Sequence, residues 1–203
     1  MFIELTEILR CPRDHAESYM VAAPMTMEGR LITRGVVGCP ECRAEFPIVD
    51  GVAYFGAPGG PRGPATGAST ASAPDYDASG LAAFLNLDGP GGYAALVGRA
   101  ARFGPEMAAL IPGVHFVAVN PPAGVGPGAM LSVLESPHGI PFKSSSLRAV
   151  ALGADHAGEP WLGEASRVLL AGLRLVVEDE RAEVEGVSAL ARGAGMFVGA
   201  KAR

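Results

Sequence analysis

The chain has 203 residues, 49% of them hydrophobic and 18% charged, which is enough apolar material for one or two buried cores and excludes a disordered chain. Its formal net charge of −5 argues against direct binding to nucleic acid, which needs clustered Lys and Arg to displace counterions. No run of about twenty apolar residues is there to span a bilayer, and the opening MFIELTEILR has acids where a secretion signal has a basic head, so a cytoplasmic setting is expected.

In chain order, FIELTEILR reads as a short amphipathic helix with Leu5, Ile8 and Leu9 on one face. RLITRGVVGC and EFPIVDGVAYF read as short strands, with Gly38 and Asp50-Gly51 as turns. All three cysteines, Cys11, Cys39 and Cys42, fall in this first quarter. An odd, clustered set in a cytoplasmic chain points to metal ligation over disulfides.

Cys11-Pro-Arg-Asp14-His15 and Cys39-Pro-Glu-Cys42 form two knuckles. Zinc takes four N or S donors in a tetrahedron, and paired knuckles supply two each. The second knuckle is a complete C-x-x-C. In the first, Asp14 has the register of a missing cysteine and His15 is the softer donor, so both stay open as the fourth ligand. A segment this short usually needs such a staple.

The run GAPGGPRGPATGASTASAP is nearly all small residues and Pro, and cannot bury apolar surface. It divides the chain into a module over 1–56, a Gly/Pro/Ala-rich linker over 57–75 and a larger domain over 76–203. In that domain LAAFLNL (Leu81–Leu87) reads as a strand, DGPGG as a turn and YAALVGRAARF as a helix. VHFVAV, AMLSVLE, LRAVALG and LRLVVED read as further strands. LGEASRVLL and a stretch near Ala182–Arg192 read as helices, and MFVGAKA as a single closing strand. The alternation implies an α/β fold with a mainly parallel sheet behind a small α+β module.

The first 55 residues resemble the zinc-ribbon family of small methyltransferase-activator proteins. The resemblance rests on Leu5 and Ile8-Leu9 before Cys11-Pro12, then Cys39, Cys42 and FPIVDGV (Phe46–Val52), similar to that family's FPI-x-DGI. It implies a module that binds and stabilises a partner methyltransferase.

The domain after the linker is similar to class I S-adenosylmethionine-dependent methyltransferases, a Rossmann-like fold. FLNLDGPGG resembles the family's strand and acid-x-Gly-x-Gly-x-Gly turn, GIPFKSSSLRAVALG its L-P-F-x-x-x-S-F-D-x-V segment, and EASRVLLAGLRLVVED its helix and fifth strand. The resemblance implies a cofactor grip at Asn86, Asp88, Gly89, Gly91, Gly92, Asn120 and Ser136. The acids of that grip are missing: Asn86 and Asn120 stand at two of their positions, Ser136 at the one near the adenine, Pro90 interrupts the turn, and Arg148 replaces the D of F-D-x-V. S-adenosylmethionine is therefore expected to bind weakly or not at all. The expected role is a non-catalytic scaffold or partner that associates with another protein or with itself; the alternative is an active methyltransferase with a divergent site and its activator in cis.

Asp155-His156, after the fourth strand, is the one pair that could serve as acid and base, against a polar loop tip as the plainer reading. Trp161 is expected to dock the following helix. Glu178-Asp179-Glu180 is expected to be a solvated strand end.

Overall fold

The computed structural model describes residues 1–56 and 75–203, so all of the expected linker but its last residue lies outside the described residues. One eleven-stranded sheet runs through both halves of the chain. Its strands are β1 (Val21–Glu28), β2 (Leu31–Gly38), β3 (Glu45–Val49), β4 (Val52–Tyr54), β5 (Tyr93–Val97), β6 (His115–Val119), β7 (Leu131–Glu135), β8 (Leu147–Leu152), β9 (Leu169–Val177), β10 (Val187–Gly193) and β11 (Met196–Lys201). Their order is β1-β2-β3-β4-β7-β6-β5-β8-β9-β11-β10.

The chain starts the larger sheet at β5, builds outward through β6 to β7, then returns to β8 and β9 on the other side, all parallel. β11 inserts antiparallel beside β9, and β10 closes the edge. This is the Rossmann-like, mainly parallel sheet that the alternating pattern implies, with a ligand crevice expected at the carboxyl ends where the winding reverses.

The parallel strands are buried on both faces, hence their near-continuous apolar runs. In β5, Ala94 and Leu96 pack with the helices α1 (Ala78–Leu85) and α2 (Gly104–Leu110). Ala95 and Val97 face the other way, into a core shared with α3 (Trp161–Val168) and with Leu5, Leu9 and Cys11 of the module. Trp161 is 1% exposed and packs α3 on the sheet, as expected.

Three elements differ from expectation. Leu81–Leu87 is not a strand: Asp77 caps α1 by accepting from Gly80 N at 2.8 Å, Leu81 and Leu85 bury one face, and Asn86 ends the helix at φ 55°. The expected helix at Tyr93 is instead β5 followed by a 3-10 turn, Gly98–Phe103. The stretch near Ala182–Arg192 is largely β10, so the chain ends in a hairpin and not a single strand. The opening helix is a short 3-10 helix, Ile3–Glu7, and β1 has no counterpart among the expected elements.

The module joins the sheet edge to edge. β4 pairs parallel with β7, Val52 against Val133 and Ala53 against Leu134, and Phe55 N donates to Glu135 O at 2.7 Å. Residues Ile8–Arg10 add a second seam along 141–143: Lys143 N donates to Ile8 O at 2.8 Å and Arg10 N to Pro141 O at 2.9 Å. Glu17 completes the join, accepting from Ser144 N at 3.0 Å and Ser144 Oγ at 2.7 Å.

Candidate metal centre and ligand crevice

Cys11, His15, Cys39 and Cys42 bring their ligand atoms within 4.8 Å of one another. The second knuckle is a tight turn: Cys39 N donates to Ala44 O, Arg43 N donates back to Cys39 O, and Arg43 takes φ 56°. The sulfurs of Cys11 and Cys42 stand 3.6 Å apart, and His15 Nε2 is 3.3 Å from Cys39 Sγ. A tetrahedral ion with metal–sulfur bonds of about 2.3 Å sets its donors roughly 3.7 Å apart, so the cluster is close to the required size. His15 Nδ1 lies 2.7 Å from its neighbour Ala16 O; donation there leaves the Nε2 lone pair facing the sulfurs. Asp14 is exposed and is not part of this cluster, whereas His15 is.

The thiols do not titrate alike. Burial pushes Cys11 up to about 12. Burial also works against ionising Cys39, but hydrogen bonds from Cys42 and Glu41 N–H outweigh it and bring the thiol down to about 6. A Cys3His set of this kind could hold a metal ion, whose charge would let the remaining thiols ionise.

The expected cofactor residues separate into two groups. Asn86, Asp88, Gly89, Gly91 and Gly92 precede β5, so they lie at the amino edge of the sheet, away from the crevice. Placing the first strand at Leu81–Leu87 put the turn one element too early. Asn86 is a helix cap, and the turn's carbonyls are taken by Arg148, whose Nη1 donates to Gly89 O at 2.6 Å and to Pro90 O and Gly91 O at 3.1 Å.

The turn that does reach the crevice follows β5. Set against acid-x-Gly-x-Gly-x-Gly, it has Leu96, Gly98, Ala100 and Arg102 at the acid and glycine positions. Gly98 keeps a positive φ of 59°, and a Cβ there would collide with His156 Nδ1 and the Asp155 carboxylate. The space in front of the turn is thus occupied by the chain itself. Asp155 Oδ1 accepts from Arg99 N at 2.8 Å. Partial burial pushes the Asp155 carboxyl up, but His156 and the Arg99 N–H outweigh it and hold it below its ordinary value.

Asn120 and Ser136 do lie at the carboxyl edge, and both are buried, at 3% and 2% exposure. The Asn120 side chain is spent on the Ser136 backbone: Asn120 Nδ2 donates to Ser136 O at 2.7 Å and Oδ1 accepts from Ser136 N at 2.8 Å. His156, 6% exposed, stands against Trp161 with ring centroids 4.5 Å apart and has Nε2 3.4 Å from Asn120 Nδ2. His156 Nδ1 is 3.2 Å from Asp155 Oδ2. His156 is therefore packed into the wall of the crevice, while the Asp155 carboxylate, 48% exposed, stands at its solvent side.

Glu178 is the residue that sequence reasoning missed. It is buried, not solvated, and its carboxylate accepts from Arg102 Nη1 at 2.6 Å, Arg99 Nε at 3.3 Å, Ala154 N at 3.1 Å and Tyr76 Oη at 2.5 Å. The available signal was Arg99 and Arg102 three residues apart on the turn after β5, two cations that need an acid across the crevice.

Residues 3–51 match the family model described as Trm112p-like protein. No curated protein matches the chain. Solved structures that resemble it include a putative methyltransferase from an antibiotic biosynthesis pathway of Anabaena variabilis, at 17% identity and TM-score 0.41, covering 51% of this chain and 45% of that one. A putative methyltransferase from Bacillus halodurans matches at 21% identity and TM-score 0.37, covering 50% of this chain and 49% of its own. A predicted O-methyltransferase from Agrobacterium tumefaciens matches at 16% identity and TM-score 0.44, covering 63% and 82%. The chain spans about half the length of the first two.

Proposed function

We propose that this chain, a Trm112p-like module joined to a methyltransferase-like domain, is a zinc-stabilised, non-catalytic protein that works through protein–protein association, as a scaffold or partner in the cytoplasm. The observation that carries this reading is the crowded crevice: His156 and Asp155 press against Gly98, the Arg99–Glu178–Arg102 cluster lines the carboxyl edge beside them, and Leu96 stands at the acid position. A sulfonium cofactor bound there would have to separate buried Glu178 from its two part-buried arginines, which leaves the carboxylate uncompensated.

The module's role follows from its seams. β4 is already paired with β7, and Ile8–Arg10 with the loop before β8, so this module clasps its own domain. We read residues 1–56 as the module, 57–75 as a linker and 76–203 as the domain. Zinc is the ion that the Cys3His donor set suits best.

Isothermal titration of the zinc-loaded chain with S-adenosylmethionine tests the central point. The expected result is no saturable heat. Micromolar binding would favour the alternative, an active S-adenosylmethionine-dependent methyltransferase with a divergent site. That second reading draws on Gly98, still at φ 59° on the β5 turn, and on Asn120 at the end of β6.

A further inference from the structure

We propose that the cleft between Tyr76–Phe84 and the β10–β11 hairpin binds a small neutral molecule with an aromatic or alicyclic ring. The cleft holds about 360 Å³ and lies outside the filled crevice. That volume is within the range of about 300–1,000 Å³ common for small-molecule sites. Tyr76 and Phe84 line it from one part of the chain, and Ala191, Gly193, Met196 and Val198 line it from the hairpin. The space exists because the hairpin carries small residues: a Cβ added at Gly193 would meet nothing within 4 Å.

The aromatic wall is preset. Tyr76 Oη is fixed on buried Glu178, and Arg102 stacks over the Tyr76 ring at 5.3 Å. Tyr76 also meets Phe84 edge-on at 6.3 Å and Phe103 at 5.1 Å. A wall held this way loses little side-chain entropy when a ring docks on it.

The polar groups at the rim point to a neutral occupant. Arg192 Nη1 is committed to Glu180 O at 2.7 Å and Ala182 O at 2.8 Å, and its guanidinium lies over Phe197 at 4.6 Å. The Tyr76 hydroxyl is likewise taken. Asp75 is exposed at the mouth. The two charged lining groups, Arg192 and Asp75, are of opposite sign and exposed, so the rim favours neither an anion nor a cation, and an ionic group carried past it onto the apolar walls would be desolvated. The inference does not depend on whether the crevice binds a methyl donor.

The test is methyl NMR of the full zinc-loaded chain titrated with indole, a neutral ring, and with benzoate, a charged one. Indole should shift the Met196 and Val198 methyl signals saturably, with benzoate about tenfold weaker or more. Two variants at exposed positions check the location: Ala191→Trp fills the cleft, and Phe84→Ala removes a wall from a residue already 36% exposed. Each should weaken indole by about tenfold or more while the remaining methyl spectrum stays folded. Three results would overturn the proposal: shifts that never saturate, indole binding unchanged in both variants, or cleft methyls already in contact with other residues of the chain in the ligand-free protein.

Discussion

The carboxylate of Glu178, at the end of β9 with no exposed side-chain surface, accepts from Arg102 Nη1 on the turn after β5 at 2.6 Å. This pair crosses the space where the winding of the sheet reverses, the position at which α/β sheets take their ligands. It joins the first and fifth parallel strands directly, and Tyr76 and Arg99 complete its shell. Removing the acid strands two guanidinium groups beside a buried site. Glu178→Ala is expected to lower unfolding free energy by about 3–5 kcal/mol in urea denaturation, the usual cost of breaking a buried pair from one side. Glu178→Gln, which keeps hydrogen-bond acceptance and loses charge, should cost less. Equal stability of Glu178→Ala and the parent would mean that the cluster is solvated.

The candidate metal centre gives a discriminating pair of variants. His15 contributes a donor to the cluster, and exposed Asp14 does not. Zinc affinity measured by competition with a chromogenic chelator should fall by more than about tenfold in His15→Ala, some 1.4 kcal/mol, and stay unchanged in Asp14→Ala. Stripping zinc with excess chelator should also lower Tm, because an ion that binds only the folded chain stabilises it by mass action. A reversed pattern, with Asp14→Ala the weaker binder, would reassign the fourth ligand.

His115 supplies one part of the pH dependence, beside the buried terminal amine, whose pKa burial lowers to about 5. It is 6% exposed at the start of β6, with Nε2 3.0 Å from Ser132 Oγ and its ring 4.6 Å from Phe2. Burial lowers its pKa from 6.5 to about 4, with the nearby terminal amine adding to the effect. The folded chain holds the neutral ring while the unfolded chain takes up a proton below 6.5. Stability from this site is therefore full above pH 6.5 and is lost as pH falls toward 4. At pH 5 the loss is about 2 kcal/mol. His115→Gln should flatten the stability curve between pH 6.5 and 5; a curve of unchanged slope would place the titration elsewhere.

Residue chemistry made some of this molecule legible. Cysteine spacing pointed to the cluster of Cys11, Cys39 and Cys42 that the fold brings together with His15 and that could hold a metal, because knuckle geometry is local and needs only a few residues. The α/β alternation located the parallel sheet from β6 onward, where apolar runs are bounded by turns. The reading slipped at Leu81–Val97, where two adjoining Ala- and Leu-rich runs carry neither clear period. There the arbiters were the Asp77 cap and Asn86 in the left-handed region, both short polar signals next to apolar noise. That one shift carried the cofactor turn to the wrong edge of the sheet. The Glu178 cluster was out of reach for another reason: its partners are 76 and 79 residues away in sequence, and only the closed fold brings them together.

The clasp itself predicts cooperativity. Leu9 is fully buried, bridges to Phe142, and belongs to one core with Trp161 and Cys11. Leu9→Ala in such a core should cost about 2–5 kcal/mol. The module and the domain can be followed separately, because Trp161 is the only tryptophan and lies in the domain, while cobalt placed in the Cys3His cluster absorbs from the module. Thermal or urea unfolding should give coincident transitions by both probes, and Leu9→Ala should move both by the same amount. The pair Leu9→Ala and Phe142→Ala should also be non-additive, with a coupling of about 0.5–3 kcal/mol for residues in contact. If the cobalt signal melts early while Trp161 holds its parent midpoint, the two halves are separate bodies. The β4–β7 seam would then be too weak to make the module a structural part of the domain.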